Sequence, residues 1–496
     1  MDFDVVISGG GPVGLMLAGE LRLGGASVLV VERRTAIDPT VKAGSINVTT
    51  AEVLYRRGLL GPLAEEMRLA VEQVKKMLSD RKTAPAPMIG HFAGIMVGRD
   101  PVDLADPAFR DAGPAAELTL VGQQAVERVL EEHARSLGAV VRRGAEVTGF
   151  DAGDGGVTVH VGDERVRAGW LVGCDGGRSL VRKLAGFGFP GTDPEITGRQ
   201  AIAEMDGAEA LPLGWQRTDT GVYVHGPVPG RVLTVEFDGP PADRTSPVTV
   251  EELQGSIRRV SGVDVTVRSI SSVTRFTDNA RQADTYRRGR VLLAGDAAHV
   301  HSPFGGQGLN LGIGDAANLG WKLAATIRGT APDGLLDTYT TERHPIGEWV
   351  LEWTRAQIAA MRPEPRAKAL RSVLIDLFAT RDGATYVAKK LSGVLHRYPI
   401  AGDHDLVGRG APDFELADGT RLAEHCHDGS AVLIGAALDD ERVRAVPAAV
   451  GRPELRALIR PDGHVAWARE DGSTDGLDEA FATWFGAGKP ADRIFA

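Results

Sequence analysis

The chain has 496 residues, 43% apolar and 25% charged, with a net charge of -10 at pH 7. This length predicts two or three domains. The acidic balance carries no basic stripe and speaks against a nucleic-acid partner, and no apolar run approaches the roughly 18–20 residues that span a membrane. The amino terminus enters a strand directly, without a charged start and apolar leader, and Cys174 and Cys426 form neither a metal nor a disulfide pattern. A cytoplasmic protein is expected.

In chain order, residues 3–8 read as a short buried strand, 9–14 as a turn, 15–23 as a helix and 28–31 as a second buried strand, a βαβ opening. Residues 51–60 and 123–137 are amphipathic helices. Residues 140–150, 157–161 and 171–174 are strands. From 188 to about 276 the chain becomes strand-like, alternating at 222–224, 232–237 and 265–273 between proline and glycine turns. That pattern predicts an antiparallel sheet. Residues 291–293 return to a buried strand, and helices are predicted over 314–327, 346–361 and 366–378. A glycine- and charge-rich joint at 402–410 precedes a small α/β unit, with strands at 431–434, 455–459 and 465–467 around a Pro461-Asp462-Gly463 turn.

Three motifs carry chemistry. Gly9-Gly10-Gly11-Pro12-Val13-Gly14 is a G-x-G-x-x-G between a strand and a helix. Its glycines allow a tight turn and close backbone approach to a pyrophosphate, and the helix start offers free N–H groups. Glu32 ends the next strand, where a carboxylate accepts from a ribose diol. The plainer reading is a glycine-rich turn beside a surface glutamate. In the second motif, Arg290 to His299, a buried strand ends in Gly295-Asp296 at the carboxyl edge, where α/β sheets bind ligands. Asp296 there accepts from ribityl hydroxyls, or merely caps a helix. Pro303 to Asn310 follows, and Gly305, Gly306 and Gly308 leave backbone N–H groups uncovered, with a helix start expected beyond Asn310. His299 and His301 could ligate a metal, but no third ligand accompanies them and no metal is expected. The third motif, Cys174-Asp175-Gly176-Gly177-Arg178-Ser179, runs strand–turn–helix, with Asp175 equally an ordinary cap.

Together, and in this order, the motifs resemble those of the group A flavoprotein monooxygenases, the family of p-hydroxybenzoate hydroxylase. The resemblance is strongest to the aromatic polyketide hydroxylases of actinomycete antibiotic pathways. Leu336-Asp337-Thr338-Tyr339, Glu342-Arg343 and Pro345 match a further family segment. The resemblance implies an α/β fold: a Rossmann-like FAD-binding domain over 1–187 and 277–400, an inserted antiparallel-sheet substrate domain over 188–276, and a thioredoxin-like domain over 403–496. Pro412-Asp413 and the Arg460–Gly463 segment carry the last of these. That unit has no C-x-x-C, and Cys426 stands alone, so a structural or oligomer-contact role is expected.

The resemblance implies noncovalent FAD. Gly9, Gly11, Pro12, Val13 and Gly14 match the pyrophosphate loop and Glu32 the ribose acceptor. Gln123 matches a glutamine near the ribityl chain, Gly295-Asp296 the ribityl-binding pair, and Val147 is placed on the cofactor side. Pro303, Gly306, Gly308, Leu309 and Asn310 match the loop beside the isoalloxazine. Asp175 and Arg178 match a motif tied to both FAD and NAD(P)H. Lys42-Ala43-Gly44 stands where the family often has arginine; lysine keeps the charge but loses the bidentate fork, and Arg33 is placed to compensate.

A single dinucleotide fingerprint means that the nicotinamide visits rather than resides. The resemblance implies that NADPH, or NADH, reduces FAD, that O2 adds at flavin C4a, and that the hydroperoxide hydroxylates an electron-rich polycyclic phenol. The protein supplies no nucleophile, so no catalytic residue is named. Trp215, Tyr223, His225 and Phe237 on the expected sheet are candidate substrate contacts, or ordinary sheet packing. A monomer or homodimer is expected. The competing readings are a Baeyer–Villiger oxygenase on the same scaffold, a flavin dehydrogenase or halogenase, and a non-catalytic FAD-binding protein.

Overall fold

The computed structural model describes residues 1–78, 88–118, 120–226, 228–243 and 246–486. Residues 79–87, within the first expected domain, and 487–496, within the last, lie outside the described residues. The first part of the chain forms β1 (Phe3–Ser8), α1 (Pro12–Leu23), β2 (Val28–Glu32), α2 (Val48–Tyr55), α3 (Leu60–Leu78), β3 (Met88–Phe92), β4 (Ile95–Gly98), α4 (Gln123–Ser136), β5 (Val140–Arg143), β6 (Val147–Gly153), β7 (Gly156–Val161), β8 (Glu164–Gly173) and α5 (Leu180–Leu184). The middle forms β9 (Gly191–Thr192), β10 (Thr197–Asp206), β11 (Gly214–Arg217), β12 (Gly221–His225), β13 (Arg231–Glu236), α6 (Val250–Ser261), β14 (Thr266–Phe276), β15 (Ala280–Gln282), β16 (Arg287–Arg288), β17 (Val291–Leu293) and β18 (His299–Val300). The last part forms α7 (Gln307–Arg328), α8 (Thr338–Met361), α9 (Pro365–Phe378), α10 (Arg381–Ser392), β19 (Ala431–Ile434), β20 (Val443–Val446), β21 (Arg456–Ile459), β22 (Val465–Arg469) and α11 (Leu477–Phe485).

Strands β17, β8, β1, β2 and β5 lie side by side and parallel. Val5, Val6 and Ile7 are all fully buried, as a strand covered on both faces requires. Two expected elements divide. The strand expected over 140–150 breaks at Gly144, whose φ of +71° turns the chain; β5 pairs with β2, while β6 pairs antiparallel with β7. The helix expected over 51–60 is α2, capped by the Asn47 side chain, and a turn through Gly58 (φ +73°) leads into α3. Two expected helices start earlier, α7 at Gln307 and α8 at Thr338, so that Pro345 sits inside α8.

The middle of the chain forms an antiparallel sheet in the order β11-β12-β13-β10-β14. Its sequence was expected to be strands alone, yet α6 interrupts it. Thr249 caps α6, and Leu253, Ile257 and Val260 place its apolar stripe against Tyr223, Val232 and Ala201 on one face of the sheet. The opposite face packs Val222, Leu233 and Val235 toward Phe304, Phe92 and Trp353.

The carboxyl-terminal strands form a separate sheet, β20-β19-β21-β22, with β19 and β20 parallel and the other pairs antiparallel. Its attachment is ionic and buried. Arg460, 1% exposed, donates to Glu342 Oε1 at 2.7 Å and Oε2 at 2.8 Å and also pairs with Asp462. Lys322 donates to the same Glu342 carboxylate at 2.7 Å, and Asn318 joins both acids. Trp484 lies against the Arg460 guanidinium, 4.4 Å from its carbon. Two cations thus meet two anions on α7, α8 and the carboxyl-terminal sheet. Replacing Arg460 by Met leaves two buried acids with one cation, a loss on the order of 3–5 kcal/mol. The apparent melting temperature should fall sharply, while Arg469→Met, which breaks a surface pair with Asp471, should leave it unchanged. Equal, small shifts for the two variants would contradict this picture.

Candidate active site

One cavity of about 2010 Å³ runs from the first βα turn to the antiparallel sheet. Ligand pockets typically measure ~300–1,000 Å³, so this one has room for a dinucleotide and a second molecule. At the turn, a Cβ on Gly9 (φ +111°) would fall 2.3 Å from the Cys174 carbonyl oxygen, and one on Gly14 would fall 2.0 Å from the Gly9 carbonyl oxygen. Those two glycines serve strand and helix packing. Gly11 is different: no protein atom comes within 4 Å of its missing Cβ, and the residue lines the cavity. The start of α1 has no side-chain cap and no acidic residue in its first turn, which leaves its N–H groups and partial positive charge for an anion.

Glu32 lines the cavity with one oxygen held by the Gly10 N–H at 2.7 Å and the other by the Arg34 N–H at 2.8 Å. Lys42 bonds Asp38 at 2.9 Å. Burial pushes the Asp38 carboxyl up, but hydrogen bonds from Lys42 and Thr40 outweigh it and hold the group well below the carboxylate range. Arg33, Ala43 and Val147 also line the cavity, as does Gln123, whose amide donates to Glu127 at 2.9 Å. Asp175 lines it too and accepts from the Leu180 N–H at 2.8 Å, while the cap of α5 is Ser179. Arg178 stands at the same wall.

The second motif is fixed from beneath. Asp315 on α7, fully buried, accepts from the Gly295 N–H at 3.0 Å, from His299 Nε2 at 2.7 Å and from Arg343 Nε at 2.8 Å. Asp296 is thereby turned outward: it is exposed, lines the cavity, and receives no hydrogen bond from the described residues. Gly295 itself packs on Val13 and does not line the cavity; Gly14 does not line it either. Pro303, Gly306, Gly308, Leu309 and Asn310 all do. Asn310 lies within the first turn of α7, because Gly306 (φ +63°) caps that helix, again without a side-chain cap. His299 belongs to Asp315, and His301 faces the cavity with Nδ1 on the Ser302 carbonyl at 2.7 Å. Among the described residues no three His, Cys, Asp or Glu side chains are grouped as metal ligands.

The sheet end departs from the sequence expectation. Of its four candidates only Trp215 lines the cavity. Strand alternation turns Tyr223 to the α6 face, and His225, two residues on, points the same way with Nδ1 on the Leu211 carbonyl at 3.1 Å. Phe237 packs against the cluster that holds Phe304 and Leu233 without lining the cavity itself. In their place stand Gln200, His91, Phe304 and Arg231, which the sequence reading did not single out. Gln200 sits opposite Leu233, and Arg231 one inward-facing position further along β13. The Nε2 of Gln200 and Nε of Arg231 are buried without partners among the described residues. Burial, then the charge of Arg217, holds His91 down to about 4, so it presents a neutral ring, 4.6 Å from Trp215.

Residues 2–354 match the model of a family described as FAD binding domain, and residues 404–488 match one described as aromatic-ring hydroxylase, C-terminal. The chain belongs to this FAD-binding family. It is 40% identical to the 12-dehydrotetracycline 5-monooxygenase/anhydrotetracycline 6-monooxygenase of Streptomyces rimosus, over 98% of this chain and 99% of the relative. The solved structure of an anhydrotetracycline hydroxylase from the same organism superimposes with a TM-score of 0.84 at 38% identity, over 98% and 99% of the two chains. The dialkyldecalin synthase of Streptomyces rugosporus is also 40% identical, over 98% and 99%. The protein is an enzyme of the FAD-dependent aromatic monooxygenase group.

The donor set fits FAD: two uncapped helix starts, a cavity-facing glycine with no protein neighbour, and a solvent-facing carboxylate between them. Gly11→Ala should fold like the parent yet bind FAD more weakly, because its Cβ meets only the cofactor space. Asp296→Ala should weaken FAD binding by roughly 1–3 kcal/mol, about 5- to 150-fold. Fluorescence titration of the apoprotein measures both, and unchanged affinity in the two variants would remove these residues from the cofactor site.

Proposed function

We propose that this protein uses NAD(P)H and O2 to hydroxylate an electron-rich ring of a polycyclic, polyketide-type phenol. The observation that carries this reading is the continuity of the cavity, from the Gly9–Gly14 turn past Asp296 and Gly306 to Trp215, Gln200 and Arg231. A dinucleotide laid along the first stretch brings its reactive end to the sheet. The high identity to a tetracycline monooxygenase supports the same reading.

When bound, FAD supplies two-electron exchange with the nicotinamide and the activation of O2. The chain's own residues do the rest. Glu32 would accept from the ribose, the uncapped start of α1 beside Gly11 would offer N–H groups to the pyrophosphate, and Asp296 would accept from the ribityl hydroxyls. N–H groups in the first turn of α7 would be offered to the flavin ring. Trp215, Leu233 and Phe304 exclude water from the reacting ring. Arg231, whose own protonation burial disfavours, gains from an anionic partner and holds the phenolate that makes the ring nucleophilic. We read the carboxyl-terminal sheet as a thioredoxin-like unit, a reading that its order β20-β19-β21-β22 supports. Its buried Cys426, with burial pushing the thiol up, takes no part in turnover.

A second reading has one specific support: the dialkyldecalin synthase is as similar as the tetracycline enzyme. On that reading the same cavity would bind FAD and close a ring without consuming O2. NAD(P)H oxidation should be slow alone and accelerate with a polycyclic phenol, and the product should carry one atom from 18O2. Arg231→Leu should raise KM for that phenol about 10- to 100-fold, the scale of a charge-assisted hydrogen bond. An isomerised product with no labelled oxygen would transfer the assignment to the ring-closing reading.

A further inference from the structure

A second cavity, of about 60 Å³, lies between the nucleotide-binding part and the carboxyl-terminal sheet. Its walls come from α2, the first turns of α7, Arg343 of α8, the segment after α10, and Gly410, Asp462 and His464. Asn47 and Asn310 line both this chamber and the large cavity, and Asn310 Oδ1 accepts from the Asn47 N–H at 2.9 Å. The volume is several times the ~10–15 Å³ that one water needs and far below the ~300 Å³ of an organic-ligand pocket.

The charges around it do not balance. Three guanidinium groups face the chamber: Arg56, Arg110 and Arg343. Arg343 is answered by Asp315 at 2.8 Å and Arg110 by Glu52 at 2.6 Å. Asp462, the other carboxylate on the wall, belongs to Arg460. Arg56, 4% exposed, meets no carboxylate; it donates to the Ala411 carbonyl at 2.6 Å. A buried cation without a counter-charge is costly.

Orphaned polar atoms collect at the same place. The Nε of Arg56, the Nε of Arg110 and Nε2 of His396 are buried without hydrogen-bond partners among the described residues, as is Oε1 of Glu52, whose charge Arg110 already answers. Burial, then the nearby Arg343, pulls His396 down to about 3, so it faces the chamber as a neutral ring able to donate an N–H. His464, stacked on Tyr398 at 3.9 Å, stands beside it.

We propose that this chamber binds a small monovalent inorganic anion, of chloride or nitrate size, held by Arg56 and Arg110 with N–H donation from His396. The anion supplies the charge that Arg56 lacks. It also ties three parts together. The backbone of the carboxyl-terminal unit presses on Arg56, since a Cβ on Gly463 would fall 2.6 Å from Arg56 Nη1. Arg56 extends from the end of α2, and Asn310 on the far wall belongs to the first turn of α7.

The test needs no substrate and no turnover. Holoenzyme crystals soaked in sodium bromide are measured at the bromine edge, and the melting temperature is compared in chloride, nitrate and the bulky gluconate at constant ionic strength. The expected result is an anomalous peak beside Arg56 and a rise in melting temperature of a few degrees on replacing gluconate by chloride. Arg56→Gln should abolish both and Arg56→Lys retain part of each. If Arg56→Gln does not fold, the two measurements on the parent protein decide. No bromide in the chamber, with equal melting temperatures in chloride and gluconate, would overturn the proposal and leave the chamber to water.

Discussion

The buried carboxylate of Asp315 is the constraint on which the rest of the site depends. It holds the Gly295 N–H, His299 and Arg343 at once. Burial pushes its carboxyl up, but the charges of His299 and Arg343 overcome that and keep it ionised. Arg343 also donates to the Leu311 carbonyl at 2.9 Å and to the Tyr398 hydroxyl at 3.2 Å. The strand end that presents Asp296, the first turns of α7 and the body of α8 therefore move as one piece. The adjacent residue, Glu342, makes the second buried ionic centre with Arg460 and Lys322. Two consecutive side chains on α8 thus tie the cofactor loop to one neighbour and the carboxyl-terminal sheet to another. Buried ion pairs add little net stability over apolar substitutes, yet removing one partner is costly. Their role here is register.

How much of this was legible in the sequence follows from the range of the interactions. The Gly9–Gly14 turn, Glu32, Gly295-Asp296 and the Gly306–Asn310 loop are local in pattern: each is a strand end or helix start that a short run of sequence displays, although the contacts that fix them, such as Gly9 against Cys174 and Gly295 on Asp315, come from elsewhere in the chain. Those segments line one cavity, as their pattern implied, apart from Gly14 and Gly295, whose missing Cβ atoms serve packing against Gly9 and Val13. The substrate end is not local. Alternation at 222–224 shows that the two faces differ, but not which one meets a helix. Leu253, Ile257 and Val260 at helical spacing behind Thr249 were the available signal for α6; once α6 is placed, Tyr223 falls on its side and Trp215 on the other. The buried ion pairs of α7 and α8 show in no local pattern, because the partners come from separate elements, as Asp315 and Arg343 do, or from more than a hundred residues away, as Arg460 does from Glu342.

The protein is acidic overall, with a net charge of -10, and near the first βα turn Arg33, Lys42, Arg143 and Arg178 line the cavity together with Glu32, Asp38, Glu127 and Asp175. At the other end Arg231, half-buried, lines the cavity with Trp215, Leu233 and Phe304, and its Nε has no hydrogen-bond partner among the described residues. The cavity is thus mixed in charge near the first βα turn, and lined by Trp215, Leu233 and Phe304 beside Arg231 at the sheet.

That division of labour accounts for the kinship of a hydroxylase and a ring-forming synthase with one chain. The cofactor end is built from backbone N–H groups, glycines and two carboxylates, and its geometry is set by Asp315 and by close backbone contacts. Changes on the sheet leave it intact. The floor is built from side chains of β10, β11 and β13 that point inward by strand alternation, away from the turns that form the cofactor end. Function in such a fold is carried by the site rather than the scaffold. In this chain Gln200, Arg231 and Trp215 line the sheet end of the cavity, and the proposed hydroxylation would give them a use: a hydrogen-bond donor and a half-buried cation beside a ring that ionises before it accepts oxygen.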